Sequence, residues 1–212
     1  MSNTNLPEAT LSRLTVYQRA LVELKEKDIT SVSSRELAEI SDSNEAKVRK
    51  DISYLGSYGT RGVGYDIDLL IEAIGIVLGG GFPRPVVLIG VGNLGRALSS
   101  YKGFRSSGFP IVGLVDKDLD VVGEKIGGLE VKSLDELDSL VSETKAVVGI
   151  IATPVESAQE VAECLVDAGI SSILNFASTV VDVPSEVEVR KVDLATELQI
   201  LGYYDQLRAS KE

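Results

Sequence analysis

The 212-residue sequence has no histidine, no tryptophan and a single cysteine, Cys164. Without histidine it lacks both the commonest general acid–base group and the commonest metal ligand. One cysteine excludes an intrachain disulfide framework and a Cys-rich zinc site. No apolar run approaches the length of a membrane span, because glycines 79–81 and Pro83 interrupt the longest candidate. The opening MSNTNLPEATLSR has no basic segment followed by an apolar one. No secretory signal is therefore read there, and a cytoplasmic protein without a membrane partner is expected. An apolar fraction of 44% suffices for packed cores, and the length suits one medium domain plus a small one.

Positive charge is also scarce, with 21 Lys and Arg against 32 Asp and Glu for a net of −11. The deficit is not spread evenly. Residues 1–65 hold nine basic and nine acidic side chains, so the whole excess of acid lies beyond them. Phosphate binding requires a local positive patch, not a basic whole. Lys47, Arg49, Lys50 and Arg61 cluster within this neutral part.

The spacing there predicts three short helices and a hairpin. Thr15 to Lys25 carries Tyr17, Leu21 and Leu24 at helical spacing. Ser33 with Glu36 reads as a capping box ahead of Leu37, Ala38 and Ile40, and Asp42 with Glu45 as a further start signal. In Ala46 to Leu55, AKVRKDISYL, Val48, Ile52 and Leu55 form an inward stripe. Ala46, Lys50 and Ser53 then face outward, flanked by Lys47, Arg49 and Tyr54. Helix, short turn and basic helix make a helix-turn-helix. The glycine-rich SYGTRGVGY, Ser57 to Tyr65, supplies a wing with Arg61 at its tip, suited to the minor groove. The expected DNA-binding set is thus Lys47, Arg49, Lys50, Ser53 and Tyr54 on the helix, with Ser57, Tyr58, Gly59, Arg61 and Gly62 on the wing. A solvated basic face, or a winged helix used for protein interaction, is the alternative.

Ile67, Leu70, Ile71, Ile74 and Leu78 predict a linker helix that ends by Gly79, and Phe82-Pro83-Arg84-Pro85 reads as an extended connector. Beyond it, residues 86–90, 111–116, 146–153 and 172–177 are apolar, β-branched runs of the kind buried on both faces of a parallel sheet. Helix patterns at Leu134 to Val141 and Val155 to Ala168 alternate with them, giving a doubly wound α/β sheet. The first strand leads into Gly90-Val91-Gly92-Asn93-Leu94-Gly95. Gly90 permits the tight turn, Gly92 close approach to a pyrophosphate, and Gly95 close packing of the following helix, whose N-terminus favours phosphate. Asp116 ends the next strand, 21 residues after Gly95, where a carboxylate reaches ribose hydroxyls and repels a 2′-phosphate. NADH and NAD+ are expected over their phosphorylated forms. A related domain that binds CoA or another nucleotide is the alternative. Ala152-Thr153-Pro154 lies at another carboxyl strand end, and Lys117, Asn175 and Phe176 complete the expected cofactor-binding set.

VRKDISYLGSYGTRGVGYDIDLL, GVGNLGRAL and IIATPVESAQEVAECLVDAGI…ILNFA together resemble the Rex family of redox-sensing transcriptional repressors, from about Thr15 to Leu207. The resemblance implies a homodimer with an N-terminal winged helix and a Rossmann domain that binds NADH or NAD+. It also implies a C-terminal dimerisation helix exchanged between subunits. It implies repression at an inverted-repeat, double-stranded operator when NADH is scarce, and release when NADH accumulates. It assigns Arg19, Tyr101 and Asp193 to a redox-dependent set of contacts across the dimer, with the tyrosine near the nicotinamide. Leu194 stands where some relatives carry an aromatic.

The layout expected is a winged-helix domain with linker helix over 1–79, a Rossmann domain over 84–192 and a C-terminal helix over 193–212. An NAD-dependent oxidoreductase would need a substrate domain and an acid–base group, and the chain has little room for the first and no histidine for the second. No enzyme activity, no small-molecule substrate and no metal are expected. Cys164 sits in an apolar helical pattern beside Val161 and Leu165 and reads as a structural thiol.

Overall fold

The computed structural model describes residues 6–56, 58–60, 64–79 and 82–209. The chain divides into two compact units, Met1–Phe82 and Pro83–Glu212.

The first unit runs α1 (Glu8–Glu26), β1 (Ser31–Val32), α2 (Ser34–Ile40), α3 (Glu45–Ser53), β2 (Gly59–Thr60), β3 (Gly64–Asp66) and α4 (Ile67–Val77). The strands form a small antiparallel sheet in the order β1-β3-β2. The helix α1 starts well before the expected Thr15, directly after Pro7. Its inner face extends upstream through Thr10, a buried polar residue that an apolar pattern does not register. The capping box at Ser33 and Glu36 is present. The start signal at Asp42 is not used: Asn44 caps α3, its side chain accepting the Lys47 N–H at 2.9 Å. Only the residue immediately before the helix has its side chain in reach of that N–H. Asp42 instead takes a left-handed turn, with φ 48°. Leu14, Tyr17, Leu21, Leu37, Val48, Ile52, Leu70 and Ile74 form the core.

Asp51 lies in this core at 1% exposure, on the inner side of α3. Its carboxylate accepts from Arg13 Nε at 2.6 Å and Nη2 at 2.8 Å, from Thr10 Oγ1 at 3.0 Å and from Tyr17 Oη at 3.1 Å. Burial pushes the Asp51 carboxyl up, but the hydrogen bonds from Arg13, Thr10 and Tyr17 outweigh it and hold the group below its ordinary value. A depressed carboxyl contributes stability that is complete above its unfolded pKa and drains as pH falls through the folded one. Breaking a buried pair from one side costs about 3 kcal/mol. We therefore expect Asp51→Asn to melt well below wild type at neutral pH, with the gap closing as pH falls below the ordinary carboxylate range. Circular-dichroism melts across that range check this, and a gap independent of pH would contradict it.

The second unit runs β4 (Val86–Ile89), α5 (Asn93–Ser99), α6 (Lys102–Ser106), β5 (Ile111–Asp116), β6 (Lys125–Ile126), β7 (Leu129–Ser133), a 3-10 turn at Leu134–Glu136, α7 (Leu137–Thr144), β8 (Val148–Ile151), α8 (Val155–Asp167), β9 (Ser172–Asn175), β10 (Glu188–Lys191) and α9 (Leu194–Ala209). The sheet order is β10-β9-β8-β4-β5-β7-β6, parallel except for the antiparallel β6–β7 hairpin at one edge. The strands β4, β5, β8 and β9 correspond to the four apolar runs; β4 is wholly buried, and β5 is buried at its centre. Along β4, Val87 and Ile89 pack into the core shared with α7 and α8, while Val86 and Leu88 pack with Leu98 and Phe104 on the other face. That two-sided burial is why these strands read as continuous apolar runs.

Every residue of α9 is exposed. Leu194, Leu198 and Leu201 line one side, and Ile200, Tyr203, Tyr204 and Leu207 the side adjoining it, each 42–68% exposed.

Candidate nucleotide and DNA sites

From β4 the sheet is built outward in both directions, through β5 and β7 on one side and through β8, β9 and β10 on the other. The β4/β8 boundary is thus the topological switch point, where open α/β sheets bind ligands beyond the carboxyl ends of the strands. Both strand-end motifs meet there. Gly90 follows β4 at φ +96°, and a Cβ on it would stand 2.7 Å from the Ala152 carbonyl group and 2.8 Å from Thr153 Cγ2. A Cβ on Gly95 would strike the Gly90 carbonyl oxygen, so α5 can leave the turn at this angle only with glycine there. Gly92 has open space where a side chain would stand. Val91 is buried, whereas Asn93 and Leu94 are exposed. Pro154 caps α8 without a side-chain bond. The Thr153 hydroxyl oxygen is shut off from solvent with no hydrogen-bond partner among the described residues. An unsatisfied buried hydroxyl costs about 1–3 kcal/mol. The Thr153 methyl, not this hydroxyl, lies nearest the Gly90 position, and the open space beside the turn is at Gly92.

Asp116 closes β5 beside this turn, but it does not stand free. Its Oδ2 accepts the Val91 N–H at 2.6 Å and its Oδ1 the Asp118 N–H at 3.0 Å. It ties the glycine turn to β5, and a carboxylate's remaining lone pairs can still accept hydroxyl donors. Lys117 reaches the other way, its Nζ donating to the buried Ser157 Oγ at 2.5 Å. The Asn175 side chain shapes a turn, donating to the Thr179 carbonyl and accepting the Ala177 N–H. Phe176 packs against the sheet core. Cys164 is half-buried, and burial with Glu160, Asp167 and Glu163 nearby pushes its thiol up, which disfavours a reactive thiolate.

In the first unit, Lys47, Arg49, Lys50, Ser53 and Tyr54 are all exposed along α3, opposite Val48 and Ile52. Arg49 is held by Glu45 at 3.0 Å, and Glu45 also accepts from Ser34. Such an exposed i,i+4 pair is worth about 0.3–0.5 kcal/mol, little against a charge-assisted bond to phosphate. Tyr58 packs partly into the core. Gly59 lies on β2, while Ser57, Arg61 and Gly62 lie outside the described residues.

Of the three switch residues, Arg19 is exposed on α1. Tyr101 is 60% exposed and packs edge-on against Phe104, so it is not a core aromatic. With Phe104, Lys102 and Arg105 it lines a cavity of about 900 Å³ near Ile111 and Leu129, which begin β5 and β7. That is the amino edge of the sheet, away from the glycine turn. Asp193 caps α9, accepting from the Ala195 and Thr196 N–H groups and pairing with Lys191 at 3.3 Å. The Thr196 N–H and then Lys191 hold its carboxyl below the ordinary value.

Sequence reasoning missed Asp51 and Ser157. Asp51 had a signal: it interrupts the inner stripe between Val48 and Ile52, and Thr10, Arg13 and Tyr17 repeat on one face of α1. Ser157 had none.

Known proteins resemble this chain over nearly its whole length. Residues 83–179 match the "CoA binding domain" model and residues 5–53 the "Putative DNA-binding protein N-terminus" model. The chain is 50% identical over 207 residues to the redox-sensing transcriptional repressor Rex of Streptomyces coelicolor, covering 98% of this chain and 80% of that protein. The crystal structure of RSP in complex with beta-NAD+ and operator DNA matches with a TM-score of 0.89, and that in complex with beta-NADH with 0.87. Both are 31% identical and cover 99% of this chain and 100% of theirs.

Proposed function

This chain belongs to the Rex family of redox-sensing transcriptional repressors, and from that premise we propose how its own residues divide the task. The protein is a repressor, not an enzyme, that senses NADH against NAD+ and releases operator DNA as NADH binds. We assign nucleotide binding to the turn Gly90 to Gly95, with Thr153 facing it and Asp116 beside it. The exposed face of α3 carries Lys47, Arg49 and Lys50 to the major groove, and Arg61 reaches the minor groove. The observation that carries the nucleotide assignment is the close meeting of Gly90 with Ala152 and Thr153 at the switch point, with open space left at Gly92.

Residues 1–79 form the DNA-binding domain with its linker helix, 84–192 the nucleotide domain, and 193–212 the dimerisation helix. A helix apolar around much of its circumference is built to be enclosed, and no residue of α9 is buried in its own chain. It is therefore assigned to exchange between protomers of a homodimer, whose two-fold symmetry reads an inverted repeat. Tyr101, Asp193 and Arg19 are placed in the relay on the family likeness. Tyr101 stands one short helix, about 10 Å, from the glycine turn and is exposed, which suits a contact across the dimer. No described helix is long and apolar enough to cross a membrane, and we place the protein in the cytoplasm.

A ligand shifts an equilibrium only through differential affinity for the two states. NADH must therefore bind the DNA-free arrangement better, and operator DNA must weaken NADH binding by the same factor. The test is binding to an inverted-repeat duplex with and without NADH, beside fluorescence titrations with NADH, NADPH and CoA. Wild type should bind NADH alone of the three with useful affinity. Asp116→Ala should lower NADH affinity about tenfold, by the loss of ribose bonds and of the tie to Val91, and narrow the lead over NADPH. Wild type that takes NADPH as readily as NADH would overturn the assignment of Asp116.

A further inference from the structure

The carboxylate of Asp51 sits on the opposite side of α3 from its basic face, and the donors that fill it all come from α1. Thr10, Arg13 and Tyr17 are spaced to share one face of that helix. The remaining inner contacts of α3 are made by Val48 and Ile52. Apolar packing is non-directional and leaves a short helix free to roll and slide by fractions of an ångström. A bidentate guanidinium–carboxylate pair is directional and fixes both roll and register.

We infer that the Arg13–Asp51 clamp, completed by Thr10 and Tyr17, is a positioning device that sets how α3 presents itself to base edges, and so determines operator discrimination. The inference rests on the reading of α3 as the helix that meets DNA. Two kinds of contact depend on that presentation very differently. Lysine and arginine reach phosphates on long side chains that absorb a small tilt. Base edges accept hydrogen bonds only within narrow limits of distance and angle. Loosening the clamp therefore removes specificity and spares general affinity. The Tyr17 hydroxyl also lies 3.3 Å from Ser43 Oγ, ahead of the Asn44 cap, so the clamp reaches the start of α3 as well.

The experiment uses the full-length protein and two duplexes, an inverted-repeat site selected by wild type from a random library and a scrambled duplex of equal length. Arg13→Lys keeps the charge but loses the fork, and Tyr17→Phe removes one donor. Asp51→Asn removes the charge and is the harsher change. We expect Arg13→Lys to lose about ten- to a hundredfold in affinity for the selected site. Affinity for the scrambled duplex, the salt slope and the NADH titration should stay within about twofold of wild type. Tyr17→Phe should move the same ratio in the same direction by less. If Asp51→Asn does not fold, Arg13→Lys decides. A selected-to-scrambled ratio equal to wild type in a folded Arg13→Lys overturns the inference, as does an equal fall on both duplexes. Lys47→Ala with Arg49→Ala serves as the other arm. If that pair leaves DNA binding intact, the reading of α3 fails; if it abolishes binding while Arg13→Lys keeps the ratio, only the clamp fails.

Discussion

Gly95→Ala should yield a repressor that holds its operator and no longer releases it for NADH. The added methyl would fall on the carbonyl oxygen of Gly90 and within 3.3 Å of Leu88 Cδ2. The first is backbone at the glycine turn itself, so α5 must swing away and the cradle opens. Losing two charge-assisted hydrogen bonds to phosphate, at about 1.5–3 kcal/mol each, lowers NADH affinity by about a hundredfold or more. The DNA-binding unit is compact by itself, so binding to the inverted repeat should persist. Gly92→Ala is the companion, because open space surrounds it and the protein should fold as wild type while the methyl occupies the approach of the pyrophosphate. The measurement is an NADH titration of operator release beside direct NADH fluorescence. Release at wild-type NADH concentration in both variants would remove the glycine turn from the mechanism.

The complementary loss is Lys47→Ala with Arg49→Ala, which should abolish operator binding at physiological salt and leave NADH binding unchanged. Each protomer loses two exposed cations on α3, and the dimer four. If all four meet phosphate, the slope of log affinity against log salt should shrink by about four. The weak Glu45–Arg49 pair does not offset such a loss, and freeing Glu45 adds a carboxylate facing DNA. Affinity measured from low to high salt tests this. An unchanged slope with intact binding would mean that α3 does not face the duplex.

How much of this could be read before the structure depended on whether a residue's role was local. The glycine turn, the strands β4 and β5 and the Ser33–Glu36 capping box depend on neighbours a few residues away and on burial from both sides. Their patterns survive in a linear reading. Asp51 does not, because its partners lie 34 to 41 residues upstream and a charge in a basic helix looks solvated. The strand β10, Glu188–Lys191, is mostly charged and sits at the sheet edge, where only pairing with β9 defines it. The β6–β7 hairpin is short, and its Gly127–Gly128 turn went unread. At Asp116 the ribose role was inferred from spacing, but the bonds to Val91 and Asp118 that build the turn were not. Tyr101 is exposed, while Asp193 also has an ordinary capping role that any reading of its function must accommodate.

One consequence of α9 reaches past its geometry. Sixteen residues of which none is buried make a helix that is marginal in water. Exchanged between two chains, that helix draws its folding free energy from association, so structural integrity follows mass action and rises with the amount of protein present. A dilute cell-free sample would then lose its C-terminal order and its paired DNA-reading heads together. On the proposed exchange, abundance would become an input beside redox state: a cell that makes too little of this chain would lack the repressor's assembled form, whatever its nicotinamide pool.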